Sequence, residues 1–399
     1  MSTSESPSID ASLQGALHGA LAGLRVIDLT GVVLGPYATQ ILGDYGADVI
    51  KIEPPSGDIM RHAGPMKHPG MGHIFINANR NKRSVVLDLK KPEQREQLLA
   101  LCKTADVLTY NIRPASMARL GLSYDTLHAI NPRLVVCGAY GYSEGGPYSE
   151  WPAYDDLIQG AVGIPWLMTQ SGSSEPRYAP TTFADRVTGL NMVHAVMAAI
   201  IARYRTGVGQ HVEVPMFECL LQFVLGEHLS GETWQPPIAP MGYTRMLSAN
   251  RKPYATQDGH ICALMYNDAH WQAFLKLIGQ ADLFQTDARF ATHVERLKHI
   301  DALYAFVGEH MRTRTSAEWM KDFTAHDIPV MPMMKLDDLL SDPHLAATQG
   351  WLDVPHPFEG KLRQLRPPVR MSGTPTGVWR PAPRLGEHTD EVLSSIKTT

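Results

Sequence analysis

The first half of the chain alternates short apolar runs with amphipathic stretches. Five apolar runs bounded by turn residues predict strands, at residues 25–29, 48–53, 84–89, 106–111 and 134–140. Helical spacing of the apolar positions predicts helices between them, at residues 36–45, 92–104 and 124–129. Strands that alternate with helices indicate an α/β fold, a Rossmann-like parallel sheet covered on both faces.

A longer helix follows at residues 185–204, and because it is apolar on nearly all sides we expect it to be buried. A glycine turn (RTGVGQ) and a strand (HVEVPM) come next. After about Phe223 the rhythm changes, and three prolines near residue 238 predict a connection to a second unit. That unit shows a strand pair at 254–265 and helices at 268–278, 293–311 and 316–326.

Three regions are therefore expected. Residues 1–20 form a flexible N-terminal extension, and residues 21–222 together with 351–399 form a large domain. Residues 223–350 form a smaller α+β domain. The proline-rich segment after residue 351 is expected to cross over in extended form, and residues 385–393 are expected to begin a last helix.

Composition describes an ordinary soluble globular protein, with 44% hydrophobic residues and a formal net charge of −4. A slightly negative chain lacks the positive charge that a nucleic-acid-binding protein needs, so no nucleic-acid partner is expected. The four cysteines form no CxxC pair and no metal motif occurs, so a reduced cytoplasmic setting is expected. The apolar stretches are interrupted before the ~18 residues that a membrane span needs, so no membrane partner is expected either.

The loop after the first strand, TGVVLGP, tests whether this sheet binds a dinucleotide. Glu53, at the end of the second strand, stands where such a site has an acid for the ribose. The loop lacks the glycines of GxGxxG, which disfavours a nicotinamide-dependent protein. A non-enzymatic α/β protein remains open on these grounds. Carboxylates, arginines and amides are then the remaining chemical candidates.

Asp185 is the strongest of these candidates because it lies where an irregular stretch becomes the buried helix. Helix N–H groups and the helix dipole stabilise an anion there, so we expect this carboxylate to stay ionised at pH 7. An ionised carboxylate in a fixed position can attack an acyl group and form a covalent intermediate. Considered alone, an aspartate at a helix start is more often a simple helix cap than a nucleophile.

Five segments together extend this interpretation: residues 25–58, 79–93, 154–163, 184–218 and 385–393. In this order they resemble the class III CoA-transferases, the formyl-CoA transferase and carnitine CoA-transferase type. The resemblance implies an interlocked homodimer that uses a coenzyme A thioester as substrate and holds no permanently bound cofactor or metal. The family's nucleophile lies in a DxxxG helix start, which here is Asp185 followed by Gly189.

The resemblance also implies which residues contact coenzyme A: Val32, Leu34, Leu87, Asn111 and Arg119. Arg119 matches the family's phosphate-binding arginine. Independently of the resemblance, an asparagine at a strand end and an arginine eight residues later suit a diphosphate. The glycine-rich turn 140–146 is expected to stabilise oxyanions through its N–H groups, with Tyr140, Tyr142 and Glu144 close by.

Two departures from the family pattern concern the acid substrate. Val33 replaces the glutamine of formyl-CoA transferases, and no tetraglycine stretch occurs in residues 240–254. A very small acid is therefore disfavoured, and Arg245 and Arg251 are candidates to pair with a second carboxylate of a larger acceptor. The expected reaction moves CoA from an acyl-CoA, with succinyl-CoA as the expected donor, to a free acid such as a dicarboxylate.

An acyl-CoA racemase or isomerase of the same superfamily is the alternative. Those enzymes carry a histidine where this chain has Ala153 or Tyr154. The missing histidine disfavours the exchange of a proton between two bases that racemisation needs.

Overall fold

The computed structural model describes residues 19–396, so the expected N-terminal extension, residues 1–20, lies almost wholly outside the described part. Its main sheet has six parallel strands in the order β3-β2-β1-β4-β5-β6. The strands are β1 (Arg25–Leu29), β2 (Asp48–Glu53), β3 (Lys82–Val86), β4 (Val107–Tyr110), β5 (Val135–Tyr140) and β6 (His211–Pro215). This is the doubly wound order, which places a crevice where β1 and β4 lie side by side and the strand order reverses.

Helices cover this sheet, as the alternation of patterns predicts. The first nine are α1 (Leu34–Asp44), α2 (His73–Ala78), α3 (Pro92–Cys102), α4 (Pro114–Arg119), α5 (Tyr124–Ile130), α6 (Asp155–Ala161), α7 (Ile164–Gln170), α8 (Phe183–Thr206) and α9 (Met216–His228). Short 3-10 turns lie at Ile59–His62, Ser230–Thr233, Ala288–Phe290 and Asp337–Ser341.

The rest of the chain has shorter elements. Its helices are α10 (Thr244–Leu247), α11 (Asp268–Leu277), α12 (Leu283–Thr286), α13 (His293–Lys298), α14 (Ile300–Met311), α15 (Ser316–Ala325), α16 (Pro343–Ala347) and α17 (Thr389–Ser395). Its strands are β7 (Tyr254–Ala255), β8 (His260–Ala263), β9 (Val330–Pro332), β10 (Trp351–His356) and β11 (Gly360–Leu365). Strands β7, β8 and β9 form an antiparallel sheet, and β10 pairs with β11.

The chain separates into two compact units. Within the described residues, unit 1 contains residues 19–162, 180–223 and 343–396, and unit 2 contains residues 163–179 and 224–342. Residues 163–179 therefore group with the second unit, whereas the sequence pattern placed them in the large domain. A Cβ on Gly172 would lie 3.0 Å from the Ala249 side chain, which shows that this excursion packs on unit 2.

The core of unit 1 lies between the sheet and the helices on one of its faces. Its fully buried residues include Ile27, Leu108, Leu98 and Leu127, and α17 adds Val392. The N–H of His388 donates to the Ser84 carbonyl at 2.9 Å, which fixes the C-terminal segment on β3. Burial of each such side chain contributes roughly 1.5–3 kcal/mol, so the distant end of the chain stabilises the first sheet.

Unit 2 has its own aromatic core, which includes Trp271, Phe274, Phe290, Trp319 and Phe323. Two sequence predictions differ from the structure in this part of the chain. The helix expected over 293–311 is interrupted at His299, between α13 and α14. The segment after residue 351, expected to be a simple extended crossover, forms the hairpin β10–β11.

Helix α8 is long and apolar enough to cross a membrane, judged by length and composition only, and is the one such helix in residues 19–396. Polar residues are dispersed through residues 183–206, so the sequence shows no uninterrupted apolar run there, although the helix is apolar on average. A buried core helix of a soluble protein has the same properties, and α8 packs against α1 and β5 within unit 1.

Candidate active site

Asp185 lies in the first turn of α8, which begins at Phe183 after the N-cap residue Thr182. Its backbone N–H donates to Oδ1 of Asp155 at 2.9 Å. Asp155 is itself the first residue of α6. Two helix N-termini therefore meet at this point, and each brings one carboxylate.

Asp155 takes the capping role that the sequence analysis assigned to Asp185. Its Oδ2 accepts a hydrogen bond of 2.7 Å from Nε2 of the buried Gln159, one turn later in α6. The same Nε2 lies 3.3 Å from the Thr181 carbonyl oxygen. Gln159 thus links α6 to the segment just before α8, and this fixes the Asp155 carboxylate under the Asp185 amide. Sequence analysis assigned neither residue a role, although both lie in the segment YDDLIQG.

The electrostatics of the pair contradict the expectation that Asp185 is fully ionised at pH 7. Burial and, to a smaller extent, the charge of Asp155 raise the pKa of Asp185 from 3.8 to about 7, against the opposing effect of the Arg186 cation. Helix-dipole stabilisation is about 0.3–1 kcal/mol at such positions, which is too small to offset these effects. A carboxylate with this pKa is more basic than an ordinary aspartate and still substantially ionised near neutral pH.

Glycine at position 189 brings the first turn of α8 onto the start of α1. A Cβ on Gly189 would lie 2.9 Å from the Leu34 carbonyl oxygen and 3.0 Å from Cδ1 of Tyr37. The Arg186 guanidinium lies over the Tyr37 ring, 4.3 Å from its centroid. The aspartate-bearing turn is therefore fixed beside the segment that follows β1, where the resemblance implies coenzyme A contacts.

That loop has an unusual backbone. Val32 has a φ of 70°, a left-handed conformation that is strained for a β-branched residue. Its N–H donates to Oδ1 of Asp58 at 3.2 Å. Gly31 and Asn111 exchange two hydrogen bonds, of 3.0 and 2.7 Å, across the point where β1 and β4 lie side by side. Asn111 therefore fixes the shape of the loop with its side-chain amide.

A buried ionic cluster supports this loop from below. Lys51 donates to the Thr30 carbonyl at 2.7 Å and to Oδ2 of Asp58 at 3.0 Å. Lys82 donates to Asp28 at 3.1 Å and to the Pro36 carbonyl at 2.9 Å, so it contacts the first turn of α1. Although burial raises it, the pKa of Asp28 is held at about 2 by the charges of Lys82 and Lys51.

Sequence analysis missed this ionic cluster. Its only signal is charge inside strands that are otherwise apolar: Asp28 in RVIDL and Lys51 in DVIKIE. Glu53 belongs to the same region and binds Arg61 through two bonds of 2.6 and 2.7 Å. It is 1% exposed, so it is not available as a ribose ligand, which further disfavours a dinucleotide site.

The remaining coenzyme A candidates differ in accessibility. Leu34 opens α1 and is 3% exposed, and Leu87 is 2% exposed and packs in the core of unit 1. Their side chains are therefore core residues, and a ligand would reach them through the backbone. Arg119 ends α4 as an exposed residue, and its Nη2 donates to Oγ of Ser116 at 2.7 Å. That guanidinium is accessible to a phosphate.

The glycine-rich turn after β5 is only partly suited to bind an oxyanion. The N–H groups of Ser143 and Glu144 donate to Glu218 and Glu213, at 3.2 and 2.8 Å. These two amides are therefore occupied. Burial, with the charge of Glu213, raises the pKa of the Tyr140 phenol, so that hydroxyl keeps its proton.

The same turn also lies against the start of α6. A Cβ on Gly141 would lie 2.3 Å from the side chain of Ala153, two residues before Asp155. Tyr142 is buried beside Tyr148 and Phe217. Within residues 19–396, no group of three or more His, Cys, Asp or Glu side chains is arranged to hold a metal ion.

Comparisons with known proteins identify the family of the chain. The pattern of CoA-transferase family III matches residues 21–389. A succinate–glutarate CoA-transferase of Agrobacterium fabrum is 31% identical, over 95% of this chain and 96% of its own. A formyl-CoA:oxalate CoA-transferase of Rhodopseudomonas palustris is also 31% identical, over 94% of this chain and 93% of its own. The solved CaiB/BaiF family protein of Brucella suis is 32% identical, with a TM-score of 0.80 over 95% of this chain and all of that one. The chain is therefore an enzyme of CoA-transferase family III.

Proposed function

We propose that this enzyme exchanges CoA between an acyl-CoA and a free carboxylic acid, with Asp185 as the nucleophile. The observation that carries the proposal is the environment of Asp185: Asp155 fixes its amide, and burial together with the Asp155 charge raises its pKa to about 7. A basic carboxylate that is still ionised near neutral pH is suited to attack a thioester.

The first half of the reaction forms an enzyme thioester. The Asp185 carboxylate attacks the donor thioester carbonyl, and its C–S bond breaks to give an aspartyl mixed anhydride and the CoA thiolate. The thiolate then attacks the aspartyl carbonyl, and the donor acid leaves as its carboxylate. The enzyme now holds CoA as an aspartyl-CoA thioester.

The second half reverses these steps with a different acid. The acceptor carboxylate attacks the aspartyl-CoA carbonyl and displaces the CoA thiolate, which gives a second mixed anhydride. The thiolate then attacks the acceptor's acyl carbonyl, which forms the new acyl-CoA and restores the Asp185 carboxylate. Every step displaces one acyl substituent by another, and no proton or external reagent is consumed.

The surrounding residues supply binding and orientation. We assign the loop at Val32 and Leu34, the main chain at Leu87, and Asn111 and Arg119 to coenzyme A. The support is that the loop is stiffened by Asn111 and Asp58 and that the Arg119 guanidinium is exposed. We assign Tyr140 and Tyr142 to the boundary of the acyl site, with Glu144 outside it because its side chain is exposed.

For substrates we propose succinyl-CoA and a dicarboxylic acid. The support is Val33, an apolar residue that is 4% exposed and so offers no polar contact to a very small acid. The named activity of the Agrobacterium relative concerns two dicarboxylic acids, succinate and glutarate, and points the same way. The named activity of the Rhodopseudomonas relative, on formate and oxalate, points to smaller acids, so both classes belong in the test.

Intact-protein mass spectrometry tests the proposal. The enzyme is incubated with succinyl-CoA or formyl-CoA, then with glutarate or oxalate. We expect a CoA adduct on the peptide that contains Asp185, discharged by the acceptor acid. Asp185→Asn should lose the adduct and reduce transfer at least 10³-fold, the scale on which enzymes lose rate with their nucleophile.

Asp156→Asn is the matched control, because Asp156 is the exposed neighbour of Asp155 in α6, and this variant should keep full activity. Full transfer by Asp185→Asn would overturn the nucleophile assignment. Exchange of the acyl α-proton with solvent deuterium, without CoA transfer, would instead identify the racemase alternative.

A further inference from the structure

Unit 2 contains a cleft made of two adjoining cavities, which we call the Arg245 cleft. The larger has a volume of about 280 Å³ and the smaller of about 80 Å³. Both are lined by Arg245, Leu264 and Tyr304. Arg245 therefore lies where the two cavities meet. None of these three residues has a part in the chemistry proposed for Asp185.

The larger cavity is cationic. Arg251 and Lys252 line it together with Arg245, and no Asp or Glu is among its lining residues. Nε of Arg245 donates to the Tyr304 hydroxyl at 2.9 Å, which orients the guanidinium. Within the described residues, none of the three cations forms an ion pair. Asp301, which accepts a hydrogen bond from Ser248, interacts electrostatically with Lys252.

The smaller cavity combines aromatic rings with a second arginine. Tyr243, Tyr266 and Trp271 line it, and so does Arg296. Arg296 is 3% exposed, pairs with Asp268 and donates from Nη1 to the Phe290 carbonyl at 2.8 Å. Its Nε is buried and has no hydrogen-bond acceptor within the described residues. A buried donor left unpaired destabilises the protein, so a ligand that supplies an acceptor would bind favourably there.

From these features we infer that the Arg245 cleft binds a small organic carboxylate with an apolar or aromatic body. The guanidinium of Arg245 matches a carboxylate with two parallel hydrogen bonds. Its neighbours Arg251 and Lys252 add positive charge, and the aromatic wall excludes water from the rest of the molecule. An inorganic anion would use the charge but would leave that wall without a partner. The cleft's size suits a ligand smaller than a drug-sized molecule.

Calorimetric titration of the full-length protein, without acyl-CoA, tests this inference. Benzoate, glutarate, acetate and inorganic phosphate are the probes. We expect benzoate to bind at least fivefold tighter than acetate or glutarate, and phosphate not to displace it. Arg245→Gln should weaken that binding at least tenfold, and Arg245→Lys should weaken it less because it keeps the charge and loses the planar fork.

Arg312→Gln is the matched control, since Arg312 is an exposed arginine of unit 2 that lines neither cavity. Melting curves of the Arg245 variants verify folding, and Tyr304→Phe provides a milder change that removes only the hydroxyl. Saturable binding that survives Arg245→Gln, binding lost equally in Arg312→Gln, or phosphate binding tighter than benzoate would each overturn the inference. Absence of saturable binding by every acid would do so as well.

Asp185→Asn separates this inference from the proposed function. We expect it to abolish CoA transfer and leave acid binding in the Arg245 cleft unchanged. Transfer that persists in Asp185→Asn would contradict the nucleophile only, and transfer without acid binding to the cleft would contradict the inference only.

Discussion

The carboxylates of Asp155 and Asp185, which meet at the start of α8, have different roles. Asp155 accepts the Asp185 amide, so the helix N–H that would lower the pKa of Asp185 is directed to its neighbour. The result is one carboxylate that caps and one that remains basic. Adjacent carboxylates with different environments are a common way in which proteins separate their pKa values.

Asp155→Asn should move the acid limb of the pH–rate profile to lower pH. Removing the Asp155 charge leaves burial as the cause that raises the pKa of Asp185, which therefore falls from about 7. Asn keeps an oxygen for the Asp185 amide, so the fold should be retained. We expect the midpoint to shift by about one unit, measured from kcat/KM between pH 5 and 9, with Asp156→Asn unshifted. A midpoint that stays near 7 would show that Asp155 does not tune the nucleophile.

Asp185→Asn should stabilise the protein at alkaline pH. The pKa of Asp185 is raised from 3.8 to about 7. In that interval the folded state binds a proton that the unfolded state has lost, so rising pH costs stability until about pH 7. The variant lacks this cost, so its free energy of unfolding should exceed that of wild type by on the order of 1–2 kcal/mol at pH 8, discounted for partial exposure. The excess should be smaller at pH 5, and denaturant unfolding at both pH values measures it. An equal effect at both values would contradict the raised pKa.

At this scale the sequence indicated Asp185 as the candidate nucleophile but not the residues that contact it. Asp185 stands at a helix start that periodicity alone reveals. Its protonation depends on Asp155, 30 residues earlier, which only the fold brings into contact. Lys51 and Lys82 are similar cases, since their partners come from other strands and loops.

The packing of α1 against α8 includes a close approach at Gly189. Gly189 allows the Leu34 carbonyl and the Tyr37 ring to approach α8 closely. Leu34 belongs, with Val32, to the segment that we assign to coenzyme A, so this contact influences the position of Asp185 relative to that segment.

Gly189→Ala should therefore damage both stability and catalysis. The added methyl would lie 2.9 Å from a backbone oxygen, which cannot move aside as a flexible side chain can. Overpacking of this kind costs typically about 1–3 kcal/mol, and we expect transfer to fall about tenfold as α8 shifts. Gly226→Ala in α9 is the matched control, because its methyl would meet nothing within 4 Å. Unfolding curves and steady-state rates of both variants decide the matter. Equal behaviour of the two would refute a positioning role for Gly189.

Most elements of the large sheet could be predicted, because each strand is a short apolar run between turn residues. Residues 25–29 and 48–53 were predicted with the bounds that β1 and β2 have. The break at His299 could not be predicted, since the apolar spacing runs through both α13 and α14. The hairpin β10–β11 was obscured by prolines that read as an extended tail.

At the scale of the whole molecule, one face of α8 is exposed and apolar. Leu190, Ile201 and Tyr204 are 43%, 56% and 67% exposed. Spacings of 11 and 3 residues place them on the same side of the helix. Contiguous exposed apolar surface on a soluble protein commonly marks an interface with a partner. We propose that a second copy of the chain covers this face, because the resemblance to the class III CoA-transferases implies an interlocked homodimer.

Ile201→Glu should weaken that association, because it places a charge in the centre of the apolar face and buries it without a partner in the dimer. Wild type should have twice the mass of the 44.0 kDa chain in sedimentation at micromolar concentration, and the variant should shift toward the monomer. Leu365→Glu is the control, since Leu365 is 55% exposed on β11 and its change should leave the dimer intact.

The same face on a 24-residue helix would also suit a lipid surface, so wild type is sedimented with phospholipid vesicles as well. A monomeric wild type that binds the vesicles would contradict the dimer. A dimeric wild type that does not bind the vesicles, and that Ile201→Glu dissociates, would show that the partner copy covers the apolar face of α8.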